Sequence, residues 1–162
     1  MRLFLLCVFI AVPCFLFSQT ADRIELLLGQ ERVSYQDAAL LALEAAGHVG
    51  PDASTGEAFG FAMERGWLPK GAEAEREARL DGFCLLVMMA FDLKGGGAFF
   101  SLFRNPHYAY RAMAYLNIIN GRADPQMPVS GDLLLYTVNR AMSREQRIKN
   151  KEQRKGRKEE WV

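Results

Sequence analysis

One short phrase occurs three times in the chain: RVSYQDAALLALEA from Arg32, RLDGFCLLVMMAF from Arg79 and PVSGDLLLYTVNRAM from Pro128. Each opens on an apolar residue followed by a helix-capping one, at Val33-Ser34, Leu80-Asp81 and Val129-Ser130, spaced by 47 and 49 residues. Ser and Asp serve at such starts because a side-chain oxygen accepts from an amide that the first helical turn leaves without a partner. After Asp81 the residues Phe83, Leu86, Val87, Ala90 and Phe91 fall on one helical stripe. Leu134, Val138, Ala141 and Met142 do the same after Ser130, and Ala38, Leu41, Ala42 and Ala45 after Ser34.

Each repeat has a preceding helical segment with its own start signal. Asp22 with Glu25 and Ser54 with Glu57 have capping-box spacing, and Asn105-Pro106 puts proline at the first helical position, where its missing amide costs nothing. These first helices end in apolar pairs, Leu27-Leu28, Trp67-Leu68 and Ile118-Ile119, before loops rich in Gly, Pro and charge. A lone helix pair cannot cover its own apolar faces, so three such units must share an interior. The expected fold is all-α, about three helix-loop-helix repeats on a common core. The first repeat is shortened, because its loop from Gly29 to Val33 is about half the length of its counterparts.

Half of the 162 residues are hydrophobic, enough for one domain of 19-142 with a real core. Ahead of it, Met1-Arg2 and the apolar run Leu3 to Phe17 have the form of a secretory signal peptide, 1-18, with cleavage expected after Ser18 or, as an alternative, Ala21. That run is short of the roughly 20 residues a spanning helix needs. Lipidation at Cys14 is disfavoured by Pro13, where a small residue is wanted. Removing the signal leaves Cys84 as the one cysteine, read as a small buried hydrophobe in a helix. The segment 143-162 carries eight Lys or Arg against four Glu, while residues 19 to 142 carry eleven against fifteen. An acidic body thus ends in a basic arm, expected to be a solvated extension, helical at most to Gly156. Between the second and third units, Gly95-Gly96-Gly97 reads as a helix stop, and Phe99, Phe100, Leu102 and Phe103 as an aromatic joint that plugs the space between units or docks a partner.

At GRADPQMPVSGDLLL, with Ile118-Ile119 before it, the pattern resembles the surface-layer homology domain. The resemblance covers most of residues 22 to 142 and is best from Ala109 to Met142. It implies three exported repeats in a pseudo-threefold helical assembly that binds cell-wall polysaccharide. That family's second helix opens on an apolar-Thr-Arg-Ala-Glu signature whose Arg contacts the glycan. In this sequence Tyr35, Gly82 and Gly131 stand at the Arg position, and none supplies a guanidinium.

No reaction is expected. The mature chain has two histidines, His48 and His107, with no HxxxH, no Cys pair and no acidic cluster at ligand spacing, so neither a metal nor another cofactor is implied. The leading expectation is a non-catalytic binding module of the cell envelope, periplasmic or envelope-associated, for cell-wall glycan or peptidoglycan. Sugar rings are met by aromatic faces edged with hydrogen-bonding groups, which makes Trp67, Tyr108 and Tyr110 with Arg79, Arg104 and Arg122 the candidate ligand-binding residues. The alternative is a structural or adaptor protein that docks to an envelope protein, or to an anionic membrane surface, through the aromatic joint or the basic tail. Nucleic acid is not an expected partner of an exported chain.

Overall fold

The computed structural model describes residues 23–94, 100 and 102–159; the expected signal peptide and the start signal at Asp22 lie outside them. The elements are α1 (23–28), α2 (Tyr35–Ala45), α3 (Thr55–Glu64), α4 (Leu80–Ala90), α5 (Pro106–Tyr115) and α6 (Gly131–Glu159). The protein is all-helical: among the described residues the only β pairing is two isolated bridges, Ser34 with Glu77 and Arg79 with Pro128. Helices α1–α2, α3–α4 and α5–α6 are the three expected hairpins, the first with the short loop.

Those bridges belong to a closed ring of backbone hydrogen bonds at the centre of the fold. The Val33 amide donates to the Val129 carbonyl (2.8 Å), the Val129 amide to Ala78 (2.9 Å), and the Ala78 amide back to Val33 (2.8 Å). All three residues are fully buried. Three units therefore meet at equivalent points, just before their second helices. The ring corrects the repeat register: Ala78, not Leu80, matches Val33 and Val129, and Arg79, not Asp81, is the N-cap of α4.

The other starts behave as their side chains dictate. Ser34 accepts from the Asp37 amide (3.2 Å), Ser130 from Leu133 (3.3 Å) and Asn105 from Tyr108 (3.0 Å), while Ser54 and Glu57 form a reciprocal capping box. Two hydrogen bonds from Ser54, the backbone one first, hold the Glu57 carboxyl below its ordinary range. Four helices stop in the same way, with a left-handed residue at Gly47, Gly66, Asp92 or Asn117. The amide after each reaches back five residues, from His48 to Leu43, Trp67 to Ala62, Leu93 to Met88 and Ile118 to Met113.

Helix α4 is the central element and packs against α2 and α5. The expected stripe underestimates it: of its residues only Asp81 and Met89 are not buried, so Cys84, Leu85 and Met88 join Phe83, Leu86 and Val87 in the core. In α2 the buried face is Tyr35, Ala38, Ala39, Leu40, Ala42 and Leu43, turned from the expected one, which leaves Leu41 and Ala45 at its edge. Burying each large aliphatic side chain stabilises by about 1.5–3 kcal/mol. Cys84 is fully buried, and burial, with Asp81 adding to it, pushes its thiol well up. The aromatic joint divides: Phe100 is buried, Leu102 and Phe103 are exposed, and Gly95 to Phe99 lie outside the described residues.

The basic arm is no separate segment. Helix α6 runs unbroken across residues 142 and 143 and past Gly156 to Glu159, beyond the expected stop. One internal glycine costs about 1 kcal/mol relative to alanine, which the surrounding Lys, Arg, Glu and Gln offset as good helix formers. A Glu145–Lys149 pair (2.6 Å) adds support one turn apart. At 1.5 Å per residue the helix is roughly 43 Å long.

Candidate functional site

The helix starts that close the ring also shape an open cleft. Helical first-turn amides need acceptors from elsewhere, and each unit supplies them to its neighbour. Tyr35 and Gln36 donate to the Arg76 and Ala74 carbonyls (both 3.0 Å), and Leu80 and Asp81 donate to Met127 (3.0 Å) and Pro125 (2.8 Å). Gly131 donates to Gln30 (2.9 Å). To reach Tyr35, the chain leaves α3 through left-handed Gly66 and arches outward over Pro69, Lys70 and Gly71 before returning. The arch encloses an open cleft of about 620 Å³, to which all three units contribute: Tyr35 from the first, Lys70, Arg76, Glu77, Arg79 and Asp81 from the second, and Pro106, Gln126 and Pro128 from the third.

Tyr35 floors this cleft. Its hydroxyl accepts from the Arg79 amide (3.3 Å), and burial raises its phenol above the usual range despite that bond. Gly82 makes room for the ring, since a Cβ there would lie 2.5 Å from the Tyr35 hydroxyl and 2.7 Å from Pro69 Cγ. The two carboxylates are already matched: Asp81 pairs with the Arg79 guanidinium (2.8 Å), and Glu77 with Arg32 from the short loop (2.8 Å). Lys70 has no ion pair among the described residues. Arg76 has only the long contact to Glu73 (3.8 Å), with both side chains exposed. The charge offered to a ligand is therefore positive.

Of the six residues expected from sequence, Arg79 alone lines the cleft. Trp67 is half-buried, edge-on to His48 (5.0 Å) and Phe61 (5.7 Å), with the Arg65 guanidinium 3.6 Å over Phe61. The same His48 donates from Nε2 to the Ala90 carbonyl (2.7 Å), tying the end of α2 to the end of α4. Tyr110 is buried, its hydroxyl donating to the Ala123 carbonyl (2.5 Å), and burial raises its pKa. Tyr108 is half-buried between His107 (5.3 Å) and Phe103 (5.9 Å). Arg104 and Arg122 are exposed, away from the cleft lining.

Sequence reasoning missed Tyr35, Lys70, Arg76 and Gln126 as cleft residues. The usable signal was the repeat register. With Ala78 matched to Val33, the second position after each ring residue is Tyr35, Leu80 and Gly131, so Leu80 replaces Gly82 in the expected alignment and Arg79 stands one residue before it. Among the described residues no three His, Cys, Asp or Glu gather to hold a metal ion, and no helix is long and apolar enough to cross a membrane. No family model, curated protein or solved structure matches the chain.

Proposed function

We propose that the protein is an exported, non-catalytic binding module of the cell envelope, a divergent relative of the surface-layer homology domain whose inter-unit cleft takes cell-wall glycan or peptidoglycan. One observation carries this reading. The 620 Å³ cleft is open, walled by Pro69, Pro106 and Pro128, and edged by Lys70, Arg76 and Gln126, while its carboxylates are already paired. Apolar walls suit the faces of sugar rings, and cationic or amide donors suit their hydroxyl and acidic groups.

The test is co-sedimentation of the mature protein with purified sacculi. Retention in moderate salt is expected, and Lys70→Ala with Arg76→Ala is expected to weaken it roughly tenfold with melting unchanged. Retention that ignores this double substitution overturns the cleft as the binding surface. The second reading, an adaptor docking to an envelope protein, draws on the exposed Leu102 and Phe103 beside Tyr108. Capture that is lost on deleting residues 143–162 and kept by the cleft variant favours tail-driven attachment instead.

A further inference from the structure

Helix α6 carries arginines at 140, 144 and 147, a spacing that sets them along one face. They border a second cleft of about 270 Å³, with Ser143 between them and the end of α5, Leu116 to Ile118, as the far wall. Among the described residues no carboxylate lines it. The acids nearby on α6 face elsewhere: Glu145 pairs with Lys149 and borders, with Glu152, a separate groove beside Phe91.

Among the described residues only Arg140 of the three has a side-chain partner. Arg140 is steadied by Tyr136, its guanidinium carbon 5.4 Å from the ring centroid and one nitrogen donating to the phenol oxygen. Arg144 and Arg147 form no ion pair among the described residues, and the Arg144 Nε is shut off from solvent without an acceptor. They are not needed to cap α5, whose Ala112, Met113 and Ala114 carbonyls already accept from the amides of Leu116, Ile118 and Asn117. A cation partly withdrawn from water and left without a counter-charge is unfavourable until an anion joins it. Three planar guanidiniums and a hydroxyl around one concavity match a tetrahedral, multiply charged oxyanion better than a carboxylate, which a single arginine can satisfy.

We infer that the Arg140–Arg144–Arg147 cleft binds a phosphate-bearing anion, at a second site separate from the inter-unit cleft. The source of the phosphate, a soluble ester or a phospholipid headgroup, is distinguished by two probes on the full mature chain. Inorganic pyrophosphate is titrated calorimetrically, and vesicles of phosphatidylglycerol in phosphatidylcholine are co-sedimented. Arg144→Gln with Arg147→Gln is compared with Lys151→Gln plus Arg154→Gln, an equal change of charge farther along the same helix. The cleft pair is expected to lose roughly tenfold or more in affinity, the distal pair less than about twofold, and Arg144→Lys to lose most of the difference because a point charge cannot fork.

Binding to pyrophosphate assigns a soluble ester, and binding to vesicles alone assigns a headgroup; either supports the site. Equal losses from the two pairs, or no saturable binding to either probe, overturns it. Melting of the cleft variant is expected to stay level, since a half-buried unpaired cation is removed. Should it fall, Arg147→Gln, an exposed position, set against Arg154→Gln alone, carries the same comparison at equal charge. Because Lys70 and Arg76 are untouched, failure here leaves the sacculus result standing, and the reverse holds.

Discussion

The junction of the first unit with the second and the junction of the third with the first do the same job with different lengths of chain. In the first, the loop after α3 is long enough to arch away and still return two carbonyls, Ala74 and Arg76, to the start of α2; the cleft lies under the arch. In the other, the short loop from Gly29 to Val33 returns only Gln30, and the Leu27 carbonyl oxygen lies 1.6 Å from where a Cβ of residue 131 would sit. The opening residues of the three second helices record the difference: Tyr35 floors a cleft, Leu80 is buried in the core, and Gly131 carries no side chain. The short loop closes backbone on backbone, whereas each long loop leaves room for a side chain, taken by Tyr35 as the floor of a cleft at one junction and by Leu80 as core at the other.

The sharpest way to break this comparison is Gly131→Ala. The obstructing atom is backbone, so α6 or the short loop must move and the hydrogen-bond ring with it; a loss of about 3 kcal/mol in urea unfolding is expected, at the upper end for overpacking. At the cleft junction the corresponding test is Gly82→Ala, where the atoms in the way are the far end of the Tyr35 side chain and the Pro69 ring. These yield more readily, so a loss of about 1–2 kcal/mol is expected, together with weaker sacculus retention as Tyr35 shifts. Gly56→Ala is the control: nothing lies within 4 Å of its Cβ, and a gain of about 0.5–1 kcal/mol is expected from helix preference alone. If Gly131→Ala were as mild as Gly56→Ala, the tight closure would not exist.

How much of this was legible in the sequence follows from where each amide finds its acceptor. Ser34, Ser54, Asn105 and Ser130 cap their own helices, so the starts of α2, α3, α5 and α6 can be read from neighbouring residues. Helix α4 misleads because its capping is tertiary: Met127 and Pro125 of another unit take the Leu80 and Asp81 amides, so Arg79 makes no side-chain cap bond. Asp81, the better capper by type, sits in the first turn and pairs with Arg79 instead. The two-residue error this caused aligned Gly82, in place of Leu80, with Tyr35 and Gly131. The cleft was illegible for a related reason, since Lys70, Gln126 and Tyr35 are brought together by the ring and by nothing in their own segments.

Ser54→Ala tests whether the second unit's first helix is secured locally or by the ring. Loss of the cap is expected to cost about 1 kcal/mol and to add to Gly131→Ala without coupling, because the two sites share no partner. The same cap gives the start of α3 a pH dependence. The Glu57 carboxyl is lowered in the folded state, so its contribution is complete above its unfolded value and is lost as pH falls through the folded one. Glu57→Gln should flatten the fall in melting temperature on the acid side by lowering stability slightly at neutral pH, and leave strongly acid pH nearly unchanged. A strongly coupled double mutant would mean that the ring reaches as far as α3.

The smallest effect is expected at an ion pair that joins the short loop to the long one, Arg32 with Glu77 (2.8 Å). Both side chains are more than half exposed, at 61% and 52%, so water and salt screen the attraction and holding two long side chains still offsets much of it. The pair lies beside the Ser34–Glu77 bridge, where backbone bonds already hold the loops together. Arg32→Gln should therefore lower the melting temperature slightly in dilute buffer and not measurably at about 0.5 M salt, where the screening length is only a few ångströms. It should also leave Glu77 unmatched in the cleft, so sacculus retention is expected to drop in dilute buffer and to recover as salt rises. That combination, binding sensitive and melting indifferent, is what a backbone-held ring with an electrostatically tuned cleft produces. A melting loss equal to that of Gly82→Ala, persisting in salt, would show instead that charge and not the central ring holds the first two units together.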